Sequence, residues 1–452
     1  MKVNHLAYLS RRAWGPSFLC LAFVLLVALA ACGGDEDGSP TGTPTGTAVA
    51  TGTPAAQLCG PEARQATLSP EASPGITDTE ILLGSETILS GTNGAVYATL
   101  PQATNAYFDY INDTQGGVCG RKIVYKYVDN YDEGARGLEA ARRLVEQDKV
   151  FAMFGSLSEL SHPATWEYLN NNGVPDLLAS AGGERFGVDP CGHPWTIQMI
   201  PSYAIDGTFL GQYISEYHPG ETVAVLWEND TIGQDGFAGL KKSLDPSKNE
   251  IVADESYEYT AISISSQVAN LARSNAGVLV IHSNLGFISQ AVEAADRLDW
   301  HPQLVAPYTV TDDLIFQFVN PKLIEGMVAT NVNKLSGDKT DPAVAKHIEI
   351  MRDYHGPSAT NFTIYAQVLA ELAVEILSRS CDNLTREGVM EAAESIQDWH
   401  SDLSLDGVTI SFSPTDHVAF QSSRYLQVKV DENGKGYWEY WGELRQFQGQ
   451  NE

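Results

Sequence analysis

The sequence predicts an α/β protein of two lobes, each built on a doubly wound parallel sheet. Apolar runs of four to six residues recur along the chain, and a stretch with helical spacing follows each run. Such runs, without polar alternation, are typical of parallel strands that helices cover on both faces. The last four runs are centred about 27 residues apart, the length of one strand, one crossover helix and two loops. A folded part of roughly 370 residues, from position 75 to 446, favours two domains over one.

Nine of these runs are predicted strands, and the tail of the chain adds a different pattern. The nine runs are residues 80–84, 123–128, 150–154, 175–179, 196–200, 223–227, 251–255, 278–281 and 303–306. Residues 408–412, 425–430 and 436–441 alternate apolar and polar side chains as antiparallel strands do, and Asn433-Gly434 is typical of a hairpin turn. The tail is therefore expected to form β-structure that crosses between the lobes.

Helices are predicted between the strands from the spacing of apolar side chains. Residues 103–111 and 138–145 each carry one apolar face at helical spacing. Pro163 begins a further helix, which Gly173 ends. Residues 362–377 predict a long apolar helix.

The first 31 residues have the pattern of an export signal. A cationic start precedes an apolar run of eleven residues at 18–28, shorter than the roughly 20 residues of a membrane span. The sequence LAAC follows at 29–32, and small residues before a cysteine are typical of a lipoprotein processing site. We predict a lipoprotein signal peptide over residues 1–31 and lipidation of Cys32. An ordinary signal peptide with an incidental cysteine and an uncleaved anchor are the alternatives.

A polar segment follows the lipidation site. Residues 33–58 are mostly Gly, Thr, Pro and Ser, with too few apolar side chains to offset the entropy of ordering. We predict a disordered tether over residues 32–74 that holds the folded part beside a membrane through the lipid. The protein is therefore expected to be exported, either periplasmic or at the cell surface.

The charge of the mature chain excludes one class of partner. Without residues 1–31, which hold three of the 28 bases and no acid, 25 bases face 57 acids, a formal charge of −32. A surface of this sign repels nucleic acid, so no nucleic-acid partner is expected. The acids are spread along the chain, which favours a solvated exterior as their role.

Four cysteines lie outside the signal: Cys59, Cys119, Cys191 and Cys381. Export permits disulfides, and the wide spacing of the four argues against a compact zinc site. Four cysteines allow three pairings, and spacing does not choose among them. No metal and no other cofactor is expected.

Loops of small and hydroxyl-bearing residues follow three predicted strands of the first lobe, at 84–94, 155–158 and 179–183. In an open parallel sheet, ligands bind beyond the carboxyl ends of the strands, where helix N-termini expose N–H groups. Small residues let a ligand approach the backbone and serine hydroxyls add donors, which together suit a carboxylate. The candidate ligand-binding residues in these loops are Ser90, Ser156, Ser158, Ser180, Ala181 and Gly182.

Patterns typical of catalysis are missing from the sequence. There is no G-x-S-x-G elbow, no phosphate loop ending in Gly-Lys-Ser/Thr, no G-x-G-x-x-G and no H-E-x-x-H. The ten histidines are scattered singly. We therefore interpret the chain as a binding protein and not an enzyme.

Short motifs spread along the folded part form a series. They are GITDTEI at 75–81, LSG at 89–91, AYFDYIN at 106–112, GRKI at 120–123, AARRLV at 140–145, VAVL at 223–226, SQV at 266–268, NLTREG at 383–388 and SPTDH at 413–417. Together they resemble the Leu/Ile/Val-binding protein family, the type I extracellular solute receptors of ABC transporters. The resemblance extends over essentially all of residues 75–445.

The resemblance implies a two-lobed periplasmic-binding-protein type I fold whose lobes are joined by a three-strand hinge. Lobe 1 would comprise residues 75–200 and 308–410, and lobe 2 residues 201–307 and 411–446. Such a protein captures a small solute (an amino acid, or an organic or aromatic acid) between its lobes and delivers it to an ABC transporter permease. A ligand-sensing receptor domain of the same fold is the alternative.

The resemblance also assigns roles to site residues. In amino-acid binders, lobe 1 holds the ligand carboxylate at positions that correspond to 156–158 and 180–182, and Tyr97 matches an aromatic that lines the pocket. The lobe 2 loop that supplies an acid for the ammonium group corresponds to 282–287 and has no acid here, which leaves Asp230 as a substitute. The other candidates in lobe 2 are Tyr203, Asn284 and Phe287.

Two expectations follow from these assignments. The solute would be a small carboxylate or similarly polar molecule, and plain leucine would bind poorly. All four mature cysteines would lie at the end of lobe 1 away from the cleft, with Cys59 paired to Cys119 and Cys191 to Cys381.

Overall fold

The computed structural model describes residues 58–68, 71–91 and 93–447. The predicted signal peptide, the lipidation site Cys32 and the tether up to residue 57 lie outside these ranges. Within the described ranges, no helix has both the length and the apolar character needed to cross a membrane.

The described residues alternate between strands and helices over most of their length. The strands are β1 Glu80–Thr87, β2 Lys122–Asp129, β3 Ala152–Phe154, β4 Asp176–Ala179, β5 Thr196–Gln198, β6 Thr222–Glu228, β7 Glu250–Tyr257, β8 Val278–His282, β9 Gln303–Val305, β10 Val328–Asn331, β11 Ser422–Val430, β12 Gly436–Tyr440 and β13 Arg445–Gln446. The α-helices are α1 Pro61–Arg64, α2 Gly94–Tyr97, α3 Thr99–Thr114, α4 Gly134–Arg142, α5 His162–Asn171, α6 Arg185–Val188, α7 Tyr203–Tyr217, α8 Thr231–Ser243, α9 Ser265–Ala272, α10 Leu285–Arg297, α11 Ile315–Phe318, α12 Pro342–Asp353, α13 Asn361–Arg379 and α14 Arg386–Glu394.

The first lobe contains a five-stranded parallel sheet in the order β2-β1-β3-β4-β5. Helices α3 and α13 pack on one face, where Ile81, Leu83 and Phe154 are buried. Helices α4 and α5 pack on the other face, against Met153. Successive side chains of a strand point to opposite faces, so a strand covered on both sides is apolar throughout. This is why the continuous apolar runs predicted these strands correctly.

The second lobe contains a mixed sheet in the order β12-β11-β10-β9-β8-β6-β7. The strands from β10 to β7 are parallel, and β11 pairs antiparallel with both β10 and β12. Helices α9 and α10 cover the face that carries Ala224 and Leu226, and α7 and α8 cover the face that carries Val223 and Val225. The predicted hairpin at Asn433-Gly434 joins β11 to β12, with Gly434 at a φ of 82°.

The boundaries between the lobes differ from those implied by the resemblance. Residues 308–331, expected in lobe 1, belong to lobe 2, because the unpredicted strand β10 lies between β9 and β11. Residues 408–412 form no strand: Ile410 makes only a single bridge with Trp399, and Phe412 and Phe420 pack in the core of lobe 1. The chain therefore re-enters the lobe 2 sheet at β11.

Three segments cross between the lobes, at residues 199–202, 332–341 and 413–421. The first and third run side by side, with the Gln198 amide donating to the His417 carbonyl at 3.1 Å. The second is held at its lobe 1 end by the Leu405 amide, which donates to the Val332 carbonyl at 2.9 Å. Three parallel connections limit relative motion of the lobes to a hinge.

The four cysteines of the described residues are oxidised in two pairs, as predicted, but the predicted pairing is wrong. Cys59 pairs with Cys191, and Cys119 pairs with Cys381, across Cα–Cα distances of 4.1 and 5.3 Å. The bridges close loops with sequence separations of 132 and 262 residues. Partners so far apart in sequence become neighbours only through the packing of α1 near β5 and of the end of α13 near β2.

The segment before residue 75 is not a tether throughout, contrary to the expectation for residues 32–74. Helix α1 is docked on lobe 1, and the side chain of Arg64 is fully buried. Its guanidinium donates to Glu394 at 2.5 and 3.0 Å and to Glu387 at 3.0 Å. The polar composition that predicts disorder ends at residue 58, and the partners that hold Arg64 lie more than 300 residues away in the sequence.

Candidate ligand site between the lobes

Two adjoining cavities lie where the lobes meet. The larger one, about 870 Å³ including space open to solvent, is lined mainly by aromatic and aliphatic side chains, and we call it the aromatic chamber. The smaller one, about 390 Å³ on the same measure, is lined by four acids, and we call it the acidic pocket. Tyr97, Leu157 and Tyr203 line both cavities. The two cavities therefore form one continuous cleft with an apolar and a polar end.

The acids of the acidic pocket are Asp132, Glu159, Glu228 and Asp230. Asp132 follows β2 and Glu159 follows β3, so both come from lobe 1. Glu228 ends β6 and Asp230 is the N-cap of α8, so both come from lobe 2. The carboxyl ends of parallel strands lie at one edge of each sheet. Because the two edges face each other across the hinge, four acids from three strand ends meet in one pocket.

Glu159 is the acid that contacts both lobes. Its Oε1 accepts from the Gly182 amide at 2.5 Å and from the hydroxyl of Tyr203, on lobe 2, at 2.9 Å. Burial raises the pKa of Glu159 to about 7. Its Oε2 is buried and has no hydrogen-bond partner among the described residues.

Glu228 and Asp230 form a carboxyl pair in lobe 2. Glu228 is fully buried and accepts from the Tyr257 hydroxyl at 3.0 Å and from the Asn284 side-chain amide at 3.2 Å. The carboxyls of Glu228 and Asp230 also lie close enough to interact. Burial and the charge of Asp230 raise the pKa of Glu228 to about 9, and burial raises the pKa of Asp230. Two carboxyls so close share a proton at neutral pH, because both cannot ionise without a nearby cation.

Asp132 completes the acidic pocket from the side of lobe 1. It is only 7% exposed and accepts from the Ser158 hydroxyl at 2.8 Å. The hydroxyl of Tyr259, on lobe 2, also lies close to it. Asp132 is therefore next to hydroxyl groups from both sides of the cleft.

The aromatic chamber is walled by stacked rings. Tyr203 stacks on Tyr308 with centroids 5.9 Å apart, and Tyr97 stacks on Phe362 at 5.8 Å. The chamber also contains one buried acid, Asp206, which is 2% exposed.

The Asp206 carboxyl lacks a full set of donors. One oxygen accepts from the Thr330 hydroxyl. The carboxyl also lies near the Tyr308 amide, yet Oδ2 completes no hydrogen bond of normal geometry. Burial raises the pKa of Asp206 to about 7.

Six of the ten sequence-predicted site residues line the acidic pocket: Tyr97, Ser158, Ser180, Tyr203, Asp230 and Asn284. The other four line neither cavity. Ser90 donates to Asp129 at 2.5 Å, and Ser156 and Ala181 are buried below the site. Gly182 contributes only its backbone amide, which donates a hydrogen bond to Glu159. Phe287, also a candidate, packs on Tyr257 in the core of lobe 2 with ring centroids 4.6 Å apart.

Most donors of the predicted carboxylate site in lobe 1 are already paired within the protein. The Ser158 hydroxyl donates to Asp132 and accepts from the amides of Leu160 and Ser161 at 3.1 and 2.9 Å. The Ser180 hydroxyl is bonded to that of Tyr365 at 2.7 Å. The Gly182 amide is held by Glu159 as well, whereas the Ser156 hydroxyl is buried without a partner in the described residues and lines neither cavity.

In lobe 2, Asp230, the acid named from the sequence as a substitute, lies in the acidic pocket, and Glu228 lies there with it. No acid lies in the loop 282–287, as noted from the sequence, but Glu228 and Asp230 approach the same space from the end of β6. Sequence reasoning missed Glu228, Asp132, Glu159 and Tyr259. The sequence did contain one indication of their role. Each of the four lies at the end of a predicted strand or within a few residues after it, and side chains at that position of a parallel sheet face a ligand.

Two doubly wound lobes, three crossing segments and a cleft lined from both lobes define a hinged solute-binding protein. The chain belongs to the periplasmic binding protein family, whose sequence model matches residues 80–435. Proteins of this family and fold bind substrates and are not enzymes.

Known relatives agree with this assignment. The chain is 21% identical over 334 residues to the Leu/Ile/Val-binding protein homolog 1 of Brucella abortus, a match that covers 71% of this chain and 82% of the relative. It has the fold of a valine-bound branched-chain amino acid ABC transporter protein from Thermus thermophilus, with a TM-score of 0.71, 16% identity, and coverage of 82% of this chain and 97% of that one. A Rhodopseudomonas palustris solute-binding protein in complex with 3,4-dihydroxybenzoic acid gives a TM-score of 0.69 at 14% identity, covering 82% and 99%.

Proposed function

We propose that this chain is the lipid-anchored solute-binding component of an ABC transporter. Its lobes close around a small polar solute in the cleft, and the closed form delivers the solute to a membrane permease. The observation that carries the proposal is the acidic pocket, whose side chains come from both lobes and whose Glu159 and Tyr203 bond across the hinge at 2.9 Å. A solute that contacts both walls favours the closed form, because closure adds contacts that the open form lacks.

The relatives support the transport role. Structural neighbours with the same fold hold valine and 3,4-dihydroxybenzoic acid, both small solutes. The sequence at 18–32, an apolar run followed by LAAC, supports export and attachment of lipid at Cys32. A lipid at the start of a polar tether would keep the folded part within reach of a permease.

A thermal-shift screen of the mature protein against a library of small solutes tests the proposal. A solute present at about 100 times its Kd adds about 2.7 kcal/mol to the free energy of unfolding, which raises Tm measurably. The solute must bind in the cleft, so Tyr97→Ala should weaken it. Tyr131→Ala is the matched control, since Tyr131 is 46% exposed and lines neither cavity.

If no solute of the library raises Tm, binding in this cleft is contradicted. It is also contradicted if a solute binds and Tyr97→Ala leaves its affinity unchanged. Turnover of a solute by the purified protein would contradict the transport role.

A further inference from the structure

The charges that line the cleft are all of one sign. The acidic pocket carries Asp132, Glu159, Glu228 and Asp230, and the aromatic chamber adds Asp206. Among the described residues, no lysine, arginine or histidine lines either cavity. An anionic solute would therefore enter a low-dielectric space that contains only like charges.

Glu159 fills the place where a ligand carboxylate was expected. Its Oε1 takes the Gly182 amide and the Tyr203 hydroxyl, two donors that face the cleft from opposite lobes. A solute carboxylate would have to displace this buried side chain before it reached the same donors. The protein thus provides its own carboxylate at the anion position.

Two buried carboxyl oxygens in the cleft lack donors. Glu159 Oε2 is one of them. Asp206 Oδ2, on a side chain that is 2% exposed and lines the chamber, is the other. Buried acceptors without partners are unusual in folded proteins, and here the missing partners are donors or positive charge. A solute that carries N–H donors and a positive charge would supply both.

The Glu228–Asp230 pair points to the same kind of group. The two carboxyls lie close to each other in the pocket, and no cationic side chain of the described residues lines the pocket to balance them. The Tyr97 hydroxyl, at the border of the two cavities, has no hydrogen-bond partner in the described part of the chain and faces these acids. An ammonium group fits this surrounding, since it donates up to three hydrogen bonds and accepts none.

The aromatic chamber accounts for the rest of the solute. Its stacked rings, Tyr203 on Tyr308 and Tyr97 on Phe362, lie next to the acids. Aromatic faces attract cations and pack well against apolar groups. A solute with an ammonium group in the acidic pocket would place its apolar body in the chamber.

Resting on the proposed function, we propose that the solute is an organic amine without a carboxylate. Glu228, Asp230 and Glu159 bind its protonated amino group. Its apolar or aromatic body lies in the chamber. The site suits the ammonium half of an amino acid, while the Gly182 and Tyr203 donors that an acid half would use are taken by Glu159. A preference for amines would distinguish this chain from proteins that bind amino acids or aromatic acids.

Calorimetry with two matched series tests the proposal. One series is isoamylamine, leucine and isocaproate; the other is phenethylamine, phenylalanine and hydrocinnamate. Within each series the body is the same while the head is an amine, a zwitterion or an acid. We expect the amine of at least one series to bind more tightly than both of its partners, by about tenfold or more.

Substitution of Asp230 ties the effect to the pocket. Asp230→Asn preserves the N-cap of α8, because asparagine caps helices as well as aspartate does. It should weaken amine binding by at least about tenfold. Asp254→Asn is the matched control, with the same loss of charge on an exposed residue of β7. It should leave amine affinity unchanged.

The outcomes separate this inference from the proposed function. Tighter binding of an acid, a zwitterion or a neutral library solute than of any amine overturns the inference and leaves the solute-binding role intact. Amine binding that survives Asp230→Asn also overturns it. If neither the six probes nor the library bind to the folded protein, the proposed function fails as well.

Discussion

The carboxylate of Glu159 accepts a hydrogen bond of 2.5 Å from the backbone amide of Gly182. A small-residue loop after a parallel strand is a common anion site, and in this protein a side chain of lobe 1 already fills it. The same carboxylate holds Tyr203 of lobe 2. One residue thus satisfies the anion donors of the cleft and links the two lobes.

Binding of an amine should release a proton at pH 7. Burial and the charge of Asp230 hold the pKa of Glu228 near 9, and Asp132, Tyr257 and Tyr259 face the same pair. An ammonium group stabilises the doubly ionised pair, so the proton that the pair shares leaves, and Glu159, whose pKa burial raises to about 7, releases part of another. Calorimetry in two buffers of different ionisation enthalpy measures the number of protons released. Uptake of protons on amine binding would contradict the role of the Glu228–Asp230 pair. Release of the same number of protons by the Asp230→Asn variant would contradict it as well.

Asp206→Asn should make stability less sensitive to pH. The pKa of Asp206 is raised by burial to about 7, so the folded protein keeps a proton that the unfolded chain loses above about pH 4. The resulting stability is complete below about pH 4 and is lost as the pH rises through 7, a change on the order of a few kcal/mol. Tm of the wild type should therefore fall between pH 5 and pH 8 by more than Tm of Asp206→Asn.

Other acids keep part of that slope in the Asp206→Asn variant, because burial also raises the pKa of Glu86 and of Glu159 to about 7. Asp254→Asn, on an exposed acid, should retain the wild-type profile. Identical slopes for the wild type and Asp206→Asn would mean that Asp206 is not the group responsible.

Arg64→Met should destabilise lobe 1. The fully buried guanidinium is bonded twice to Glu394, and its loss leaves that carboxylate with only the His417 ring, at 3.3 Å, as a side-chain partner. Breaking a buried pair from one side costs about 3–5 kcal/mol. Arg136→Met is the control, since the Arg136–Glu133 pair is more than half exposed on both sides and is worth about 1 kcal/mol or less. Equal losses in urea unfolding would contradict the docking of α1.

The disulfide pairing is directly testable. A non-reduced proteolytic digest analysed by mass spectrometry should contain Cys59 linked to Cys191 and Cys119 linked to Cys381. Removal of either bridge by paired Ala substitutions should lower the free energy of unfolding by about 2–5 kcal/mol, because each closes a long loop. A peptide that links Cys59 to Cys119 would contradict the structure.

Lipidation should depend on one of the two cysteines near the N-terminus. Cys32→Ser removes the thiol at the predicted processing site and should abolish labelling by a radioactive fatty acid. Cys20→Ser, inside the apolar run, keeps the LAAC sequence and should still be labelled. Label retained by Cys32→Ser would reject the anchor.

Most of the strand pattern could be predicted from the sequence. All nine apolar runs correspond to strands of the two sheets, because burial on both faces leaves a signal within a few consecutive residues. The exceptions are informative. Strand β10 was not predicted because it is four residues long and has no long apolar run. Residues 408–412 alternate apolar and polar side chains as a strand does, but they pair only with Trp399 and form no strand. Pairing partners, unlike periodicity, are not a local property.

The sequence by itself determined the class of fold, the division into two lobes and the edge of each sheet that lines the cleft. Only the tertiary structure decided the chemistry of that edge. In the sequence, Asp132, Glu159 and Glu228 are simply acids at or after the end of a strand. They meet in one pocket only because the two sheets face each other across the three hinge segments. Electrostatics in a buried pocket depends on distances of a few ångströms between groups far apart in sequence. The same dependence on distant contacts placed Cys59 beside Cys191 and paired the Gly182 amide with Glu159.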